Sequence, residues 1–254
     1  MTTKKKIFVA IASLAASVAI VVVSVFATVA YLTSSAAVSN VFTIGNVGIS
    51  MTESKVKPDG TLFDDGKTRV DTNTYHLVPN KRYTKDPAIF VNEGSEDSYL
   101  FVLVRNDLES IEATSGEAGE LTIAQQLLNY GWKVYTKAST GSVYVYHGFS
   151  GNVDRTDNSG VNSGEVNTNA IGVKPGKYKL FDYFVTAPKA DISKFGAAKI
   201  TLTAVAIQTS GFGNGVIGDA TALAEAWAAV VETYPYIHTG NTSADTGNTG
   251  GENA

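Results

Sequence analysis

The chain has 254 residues, 44% of them hydrophobic, and no cysteine, which excludes disulfide staples, cysteine metal sites and a thiol nucleophile. Its formal net charge is -4; three of the 20 Lys and Arg residues lie in the first six positions, so the rest of the chain carries 17 basic against 24 acidic residues, a net of -7. That balance argues against nucleic acid as a partner.

Lys4, Lys5 and Lys6 precede an uncharged run from Ile7 to Ala30, the pattern of an export signal. The run is long enough to span a bilayer of roughly 30 Å, which leaves an uncleaved anchor as the alternative. Thr28, Val29 and Ala30 place small residues where a signal peptidase reads, directly before Tyr31, and this favours cleavage after Ala30. Residues 1–30 therefore read as a signal peptide, the product is expected to be secreted, and membrane contact is expected only through the leader before cleavage.

The new N-terminus would be Tyr31, Leu32, Thr33, Ser34, Ser35, Ala36, Ala37, Val38, Ser39 and Asn40. It is expected to be a flexible arm that reaches roughly 33 Å when extended. Such an arm reads as a donor strand for a neighbouring subunit, or as a linker or a segment that folds back on its own domain.

From Val41, the pattern Phe42, Ile44, Val47, Ile49 and Met51 predicts a strand bent at Gly45-Asn46. Turn chemistry dominates 57–74, and Tyr75 to Val78 is a short apolar piece closed by Pro79-Asn80. Ala88 to Val91 and Tyr99 to Val104 read as two strands joined by a tight connection, the second apolar on both faces and so central in a sheet. Thr122-Ile123-Ala124-Gln125 is a capping box that opens a short helix ending at Gly131.

Trp132 to Tyr135 and Val143 to Tyr146 flank Ser139-Thr140-Gly141 and predict a hairpin. Residues 151–169 read as an exposed loop, followed by strands over Tyr178 to Thr186 and Lys199 to Gln208, the latter with Ile200, Leu202, Ala204 and Ala206 on one face. Asp219 caps a second helix bearing Leu223, Trp227 and Val230, which Pro235 stops; the polar tail 238–254 is expected to be disordered. The fold class is thus mainly β: one jelly-roll-like antiparallel β-sandwich over 41–237, with two short helices and a helical signal peptide before it.

No His-Glu-x-x-His motif occurs, and His76, His147 and His238 are widely separated, so each reads as a packing or surface residue and not as a zinc ligand. No Gly-x-Ser-x-Gly elbow is present, and Gly211-Phe212-Gly213-Asn214-Gly215 lacks the rest of a nucleotide-binding signature. Asp64, Asp65 and Asp71, or Asn152, Asp154, Asp157 and Asn158, could gather around calcium, but neither set has EF-hand spacing and solvated loop charges explain them better. Core packing explains the Tyr and Phe residues better than a sugar platform does, though Tyr144, Tyr146 and His147 could be exposed beside the hairpin. No catalytic residue, metal site or cofactor is expected.

The stretch Thr28-Val29-Ala30-Tyr31-Leu32, followed by Asn40-Val41-Phe42-Thr43-Ile44-Gly45-Asn46-Val47-Gly48-Ile49, resembles the start of TasA and camelysin family proteins exported with a SipW-type signal peptidase. Leu77-Val78-Pro79-Asn80-Lys81-Arg82-Tyr83-Thr84-Lys85-Asp86-Pro87 with Tyr99-Leu100-Phe101-Val102 is similar to that family's Pro-centred turn, Lys-Asp-Pro segment and central strand, with Asn80 standing where the family usually has Gly. Val173-Lys174-Pro175-Gly176 and Thr203 to Gln208 look like the C-terminal half of such proteins.

The resemblance implies a jelly roll, a Gram-positive-type bacterial host, secretion to the cell surface or biofilm matrix, a SipW-type peptidase as processing partner, and homo-oligomeric fibres built by strand donation. The favoured function is a non-enzymatic structural subunit of such fibres. The alternatives are a monomeric cell-surface binding module held by an uncleaved leader and a camelysin-like protease.

Overall fold

The computed structural model describes residues 33–36, 38–113, 120–138, 141–149, 166–213, 217–235 and 237. The expected signal peptide, the cleavage residues Thr28, Val29, Ala30 and Tyr31, arm residues Leu32 and Ala37, the loop 151–165 with Asn152, Asp154, Asp157 and Asn158, and the tail 238–254 lie outside them.

The chain is mainly β. The strands are β1 (Thr33–Ala36), β2 (Val38–Ile44), β3 (Ile49–Ser54), β4 (Arg69–Val70), β5 (Thr74–His76), β6 (Arg82–Thr84), β7 (Ala88–Val91), β8 (Ser98–Asn106), β9 (Trp132–Ala138), β10 (Gly141–Tyr146), β11 (Gly176–Lys179), β12 (Tyr183–Val185) and β13 (Ile200–Gln208). Two α-helices, α1 (Ile123–Asn129) and α2 (Ala220–Thr233), and two short 3-10 turns, Glu109–Ile111 and Ile192–Lys194, complete the described fold. A five-stranded sheet runs β2-β13-β8-β10-β9 and a four-stranded sheet runs β11-β7-β3-β4; β1 pairs with β5, and β12 with β6.

Strand β8 sits in the middle of the larger sheet, as its two-faced apolar sequence predicts. Leu100, Val102 and Val104 join Ile89, Met51 and Tyr178 in the core between the sheets. Tyr99, Phe101 and Leu103 join Ala222, Ala226 and Val230 of α2 in a second core on the opposite face. The molecule is therefore a sheet sandwich backed by a helix, and β8 is apolar on both faces because both are covered. Each such side chain taken from water contributes about 1.5–3 kcal/mol.

The two helices begin where the sequence puts them. Thr122 accepts from the N–H of Gln125 while the Gln125 side chain accepts from the Thr122 N–H, a complete capping box. Asp219 accepts from the Ala222 N–H at 2.6 Å. Asn80 has φ +54, the left-handed backbone that its position after Pro79 requires.

Two expectations need correction. The bend at Gly45-Asn46 is a crossing between sheets, since β2 lies in the larger sheet and β3 in the smaller. Gly45 makes the crossing possible with φ +87. The connection over 92–97 joins β7 to β8 and also passes from one sheet to the other. The crossings run side by side: the Asn92 N–H donates to Gly48 O at 2.8 Å, and the Glu96 N–H donates to Asn46 O at 3.1 Å.

The strand expected from Tyr178 to Thr186 is divided into β11 and β12. Consecutive Leu180 and Phe181 are both buried in the same core between the sheets, whereas neighbouring residues of one strand point to opposite faces. Asp182 holds the break by accepting from the Tyr130 hydroxyl and the Lys179 ammonium group. The sheets are antiparallel except that β2 runs parallel to β13. No short turn joins these two strands, so nothing imposes the antiparallel direction on them.

Candidate functional site

The site the sequence singles out is the arm from Tyr31 to Asn40 and whatever receives it. Thr33, Ser34, Ser35 and Ala36 form β1, with Thr33 opposite His76, Ser35 opposite Tyr75 and Ala36 opposite Thr74. Val38, Ser39 and Asn40 begin β2, with Val38 opposite Thr201, Ser39 opposite Leu202 and Asn40 opposite Thr203. These residues pair with strands of their own chain, the fold-back arrangement that the sequence leaves open beside the donor strand and the linker. The physical reason lies in the ladder: β5 and β13 each present a row of backbone groups on one side that an added strand can take from water, whatever the side chains of that strand.

The β5 acceptor is held rigidly from behind. Tyr75 and Tyr83 are buried with Phe184, Tyr83 stacked on Phe184 at 4.9 Å and Tyr75 edge-on to it at 5.4 Å. The Tyr75 hydroxyl donates to Thr84 O at 3.1 Å, and the Tyr83 hydroxyl donates to His76 O at 2.8 Å. Burial raises the Tyr75 phenol well above its usual pKa, and the charge of Glu53 adds to the effect, so it remains a neutral donor.

The β13 acceptor is the buried spine of the larger sheet, with Leu202, Ala204, Val205 and Ala206 all at 1% exposure or less. Beside it, the far end of β2 is fastened. The Tyr234 ring lies 4.8 Å from that of Phe42, and its hydroxyl donates to Thr43 O at 3.1 Å. Just beyond, the Asn46 N–H donates to Gln208 Oε1 at 3.1 Å, with the Gln208 side chain packed against Gly45. The upstream part of β2 is open by comparison, with Asn40 and Val41 both exposed.

Polar contacts gather where β3 pairs with β4 in the four-stranded sheet. The Lys85 ammonium donates to Glu53 Oε2 at 2.6 Å, and the Asp86 carboxylate accepts from the Ser54 N–H at 2.7 Å and the Ser54 hydroxyl at 2.8 Å. Arg69 reaches the same Asp86 carboxylate at 3.4 Å and Thr52 O at 2.6 Å. The Lys85-Asp86-Pro87 segment therefore ties β3, β4 and β7 together.

A cavity of about 380 Å³ opens beside the start of α1, lined by Asn106, Glu109, Glu112, Ser142 and Tyr144 among others. Glu112 accepts from the Ile123 N–H at 2.6 Å and from the Asn106 amide at 3.2 Å. Burial nevertheless pushes its carboxyl up to about 7, with a smaller push from Glu109.

The other side chains weighed in the sequence are dispersed. His76 is exposed in β5, His147 is buried with Nδ1 2.9 Å from Asn167 O, and His238 lies outside the described residues. Asp64 is turned onto its own loop, accepting from the Thr68 N–H and hydroxyl. Among the described residues no three His, Asp or Glu side chains gather closely enough to hold a metal ion. Tyr144, Tyr146 and His147 are all buried, so they offer no sugar platform. No helix among the described residues is long and apolar enough to cross a membrane.

Tyr234, Gln208 and Glu53 escaped the sequence reading. Each acts through a partner far away in the chain, and no local spacing signals such a contact. Compared with known proteins, the chain matches no family profile, no curated protein and no solved structure.

Proposed function

We propose that this protein is a secreted structural subunit of cell-surface or biofilm-matrix fibres, and that its copies assemble by exchanging the segment Tyr31–Asn40. The resemblance of its leader, its Phe42-Thr43-Ile44-Gly45 strand and its Lys85-Asp86-Pro87 segment to the TasA and camelysin family supports this reading, with a SipW-type peptidase freeing the arm at Ala30. A jelly-roll arrangement of the sheets belongs to the same proposal.

One observation carries it: Thr33–Ala36 and Val38–Asn40 lie as edge strands along β5 and β13. A backbone ladder does not distinguish a chain's own arm from the identical arm of another copy. Exchange remakes the same hydrogen bonds in the neighbour, and a head-to-tail contact of this kind does not close, so it propagates a filament. The protein then works by pairing and not by turnover.

The same intramolecular pairing favours a second reading, a monomeric cell-surface module whose arm stays at home. A lock separates the two. Asn40→Cys with Thr203→Cys joins β2 to β13 at a registered pair, where neighbouring strands lie about 4.8 Å apart, within disulfide reach. The chain has no other cysteine to interfere. Protein beginning at Tyr31 is expected to form filaments by electron microscopy when this variant is reduced and none when it is oxidised as a monomer. Filaments of equal yield from the oxidised monomer would reject strand exchange.

A further inference from the structure

We propose that Tyr234 pins the exchange: residues up to Val41 leave their own chain, and Phe42–Ile44 stay. The surface offered to a second copy is then β5 together with the flank of β13 from Thr201 to Ala204. This inference rests on the fibre reading for its consequence, but the pin itself is a property of the single chain.

Four contacts fall on the downstream side of Val41. The Phe42 ring meets Tyr234, Thr43 O accepts from the Tyr234 hydroxyl, Gly45 packs on Gln208, and the Asn46 N–H donates to Gln208. Tyr234 is itself well anchored. Its N–H donates to Val230 O at 2.8 Å, its carbonyl accepts from the Ile237 N–H at 3.0 Å, and Val230 and Ile237 are buried in the core under α2. Moving Phe42 and Thr43 therefore means disturbing the end of a packed helix.

Upstream, Asn40 and Val41 pair with Thr203 and Ala204 of β13 while their own side chains stand exposed. The boundary between a strand segment that opens locally and one that opens only with the helix lies between Val41 and Phe42. Such a pin fixes where the exchanged segment ends, so every subunit donates the same length and the filament keeps one register.

Amide hydrogen exchange on the unassembled chain beginning at Tyr31 tests this without any filament. Peptides covering 33–41 are expected to exchange faster than those covering 42–46. Tyr234→Phe keeps the ring against Phe42 and removes only the hydroxyl; it is expected to speed exchange over 42–46 roughly fivefold, the worth of one net hydrogen bond, with Leu100–Val104 of β8 unchanged. Tyr234→Ala removes the ring as well and is expected to bring 42–46 close to the rate of 33–41. Uniform protection from 33 to 46, or an unaltered 42–46 in both variants, overturns the pin. Failure of filaments to form while this exchange pattern holds would reject the fibre reading alone.

Discussion

Lys85 and Glu53 form an ion pair of 2.6 Å in which each side chain is 1% exposed. The second carboxylate oxygen of Glu53 has no hydrogen-bond partner among the described residues, so the pair rests on one short contact. Glu53→Gln leaves the ammonium group buried without its counter-charge, and the expected loss is about 3–5 kcal/mol. The apolar double variant Glu53→Leu with Lys85→Met is expected to lose far less. Urea denaturation of the three proteins checks the order; equal losses would mean that packing, not charge, is at stake.

Stability is expected to fall as pH rises through the window from the ordinary carboxylate value to about 7, the value of Glu112. There the folded chain keeps a proton that the unfolded chain has released, a cost on the order of 3 kcal/mol. His147 acts with the opposite sign. Burial lowers its pKa, so the stability it contributes is present above its ordinary value and lost as pH falls. Glu112→Gln is expected to abolish the decline toward pH 7 and leave the His147 slope visible in denaturation midpoints taken from pH 5 to 8.

The crossing between sheets at Gly45 depends on glycine. A Cβ there would stand 2.2 Å from Gln208 Oε1, on a backbone with φ +87. Gly45→Ala is expected to cost about 1–3 kcal/mol, and Gly45→Ala with Gln208→Ala less than the sum of the two single changes, because the second removes the clash. Strict additivity in thermal unfolding would place the whole cost in the backbone.

The helix layer is a structural necessity and not an ornament on the sandwich. Val230 is fully buried against the outer face of the larger sheet, and Val230→Ala is expected to lower stability by about 2 kcal/mol. Near-UV circular dichroism should register it through Trp227, whose ring meets Phe101 at 5.1 Å and Tyr135 at 5.6 Å.

The sequence reading was most accurate where the signal is local. The Thr122 capping box, the Asp219 cap, the left-handed Asn80 and the double-faced β8 each declare themselves within a few residues. It failed where two distant segments decide the outcome. The Ser- and Ala-rich arm reads as donor strand, linker or fold-back segment, because its hydrophobic alternation is too weak to choose among them. The split at Leu180-Phe181 and the sheet crossings at Gly45 and 92–97 likewise depend on which layer the chain must reach next. Lys85-Asp86-Pro87 was legible as a motif, but its partners Glu53, Ser54 and Arg69 were not.

Mixing two singly substituted proteins tests the exchange of arms most directly. Asn40→Cys in one chain and Thr203→Cys in the other can meet at their registered positions only when the arm of the first lies in the β13 flank of the second. Mixed, allowed to assemble and oxidised, they are expected to give a disulfide-linked heterodimer well above the background set by Phe63→Cys, a position 52% exposed on the loop between β3 and β4. A heterodimer yield no greater than that background would contradict the account.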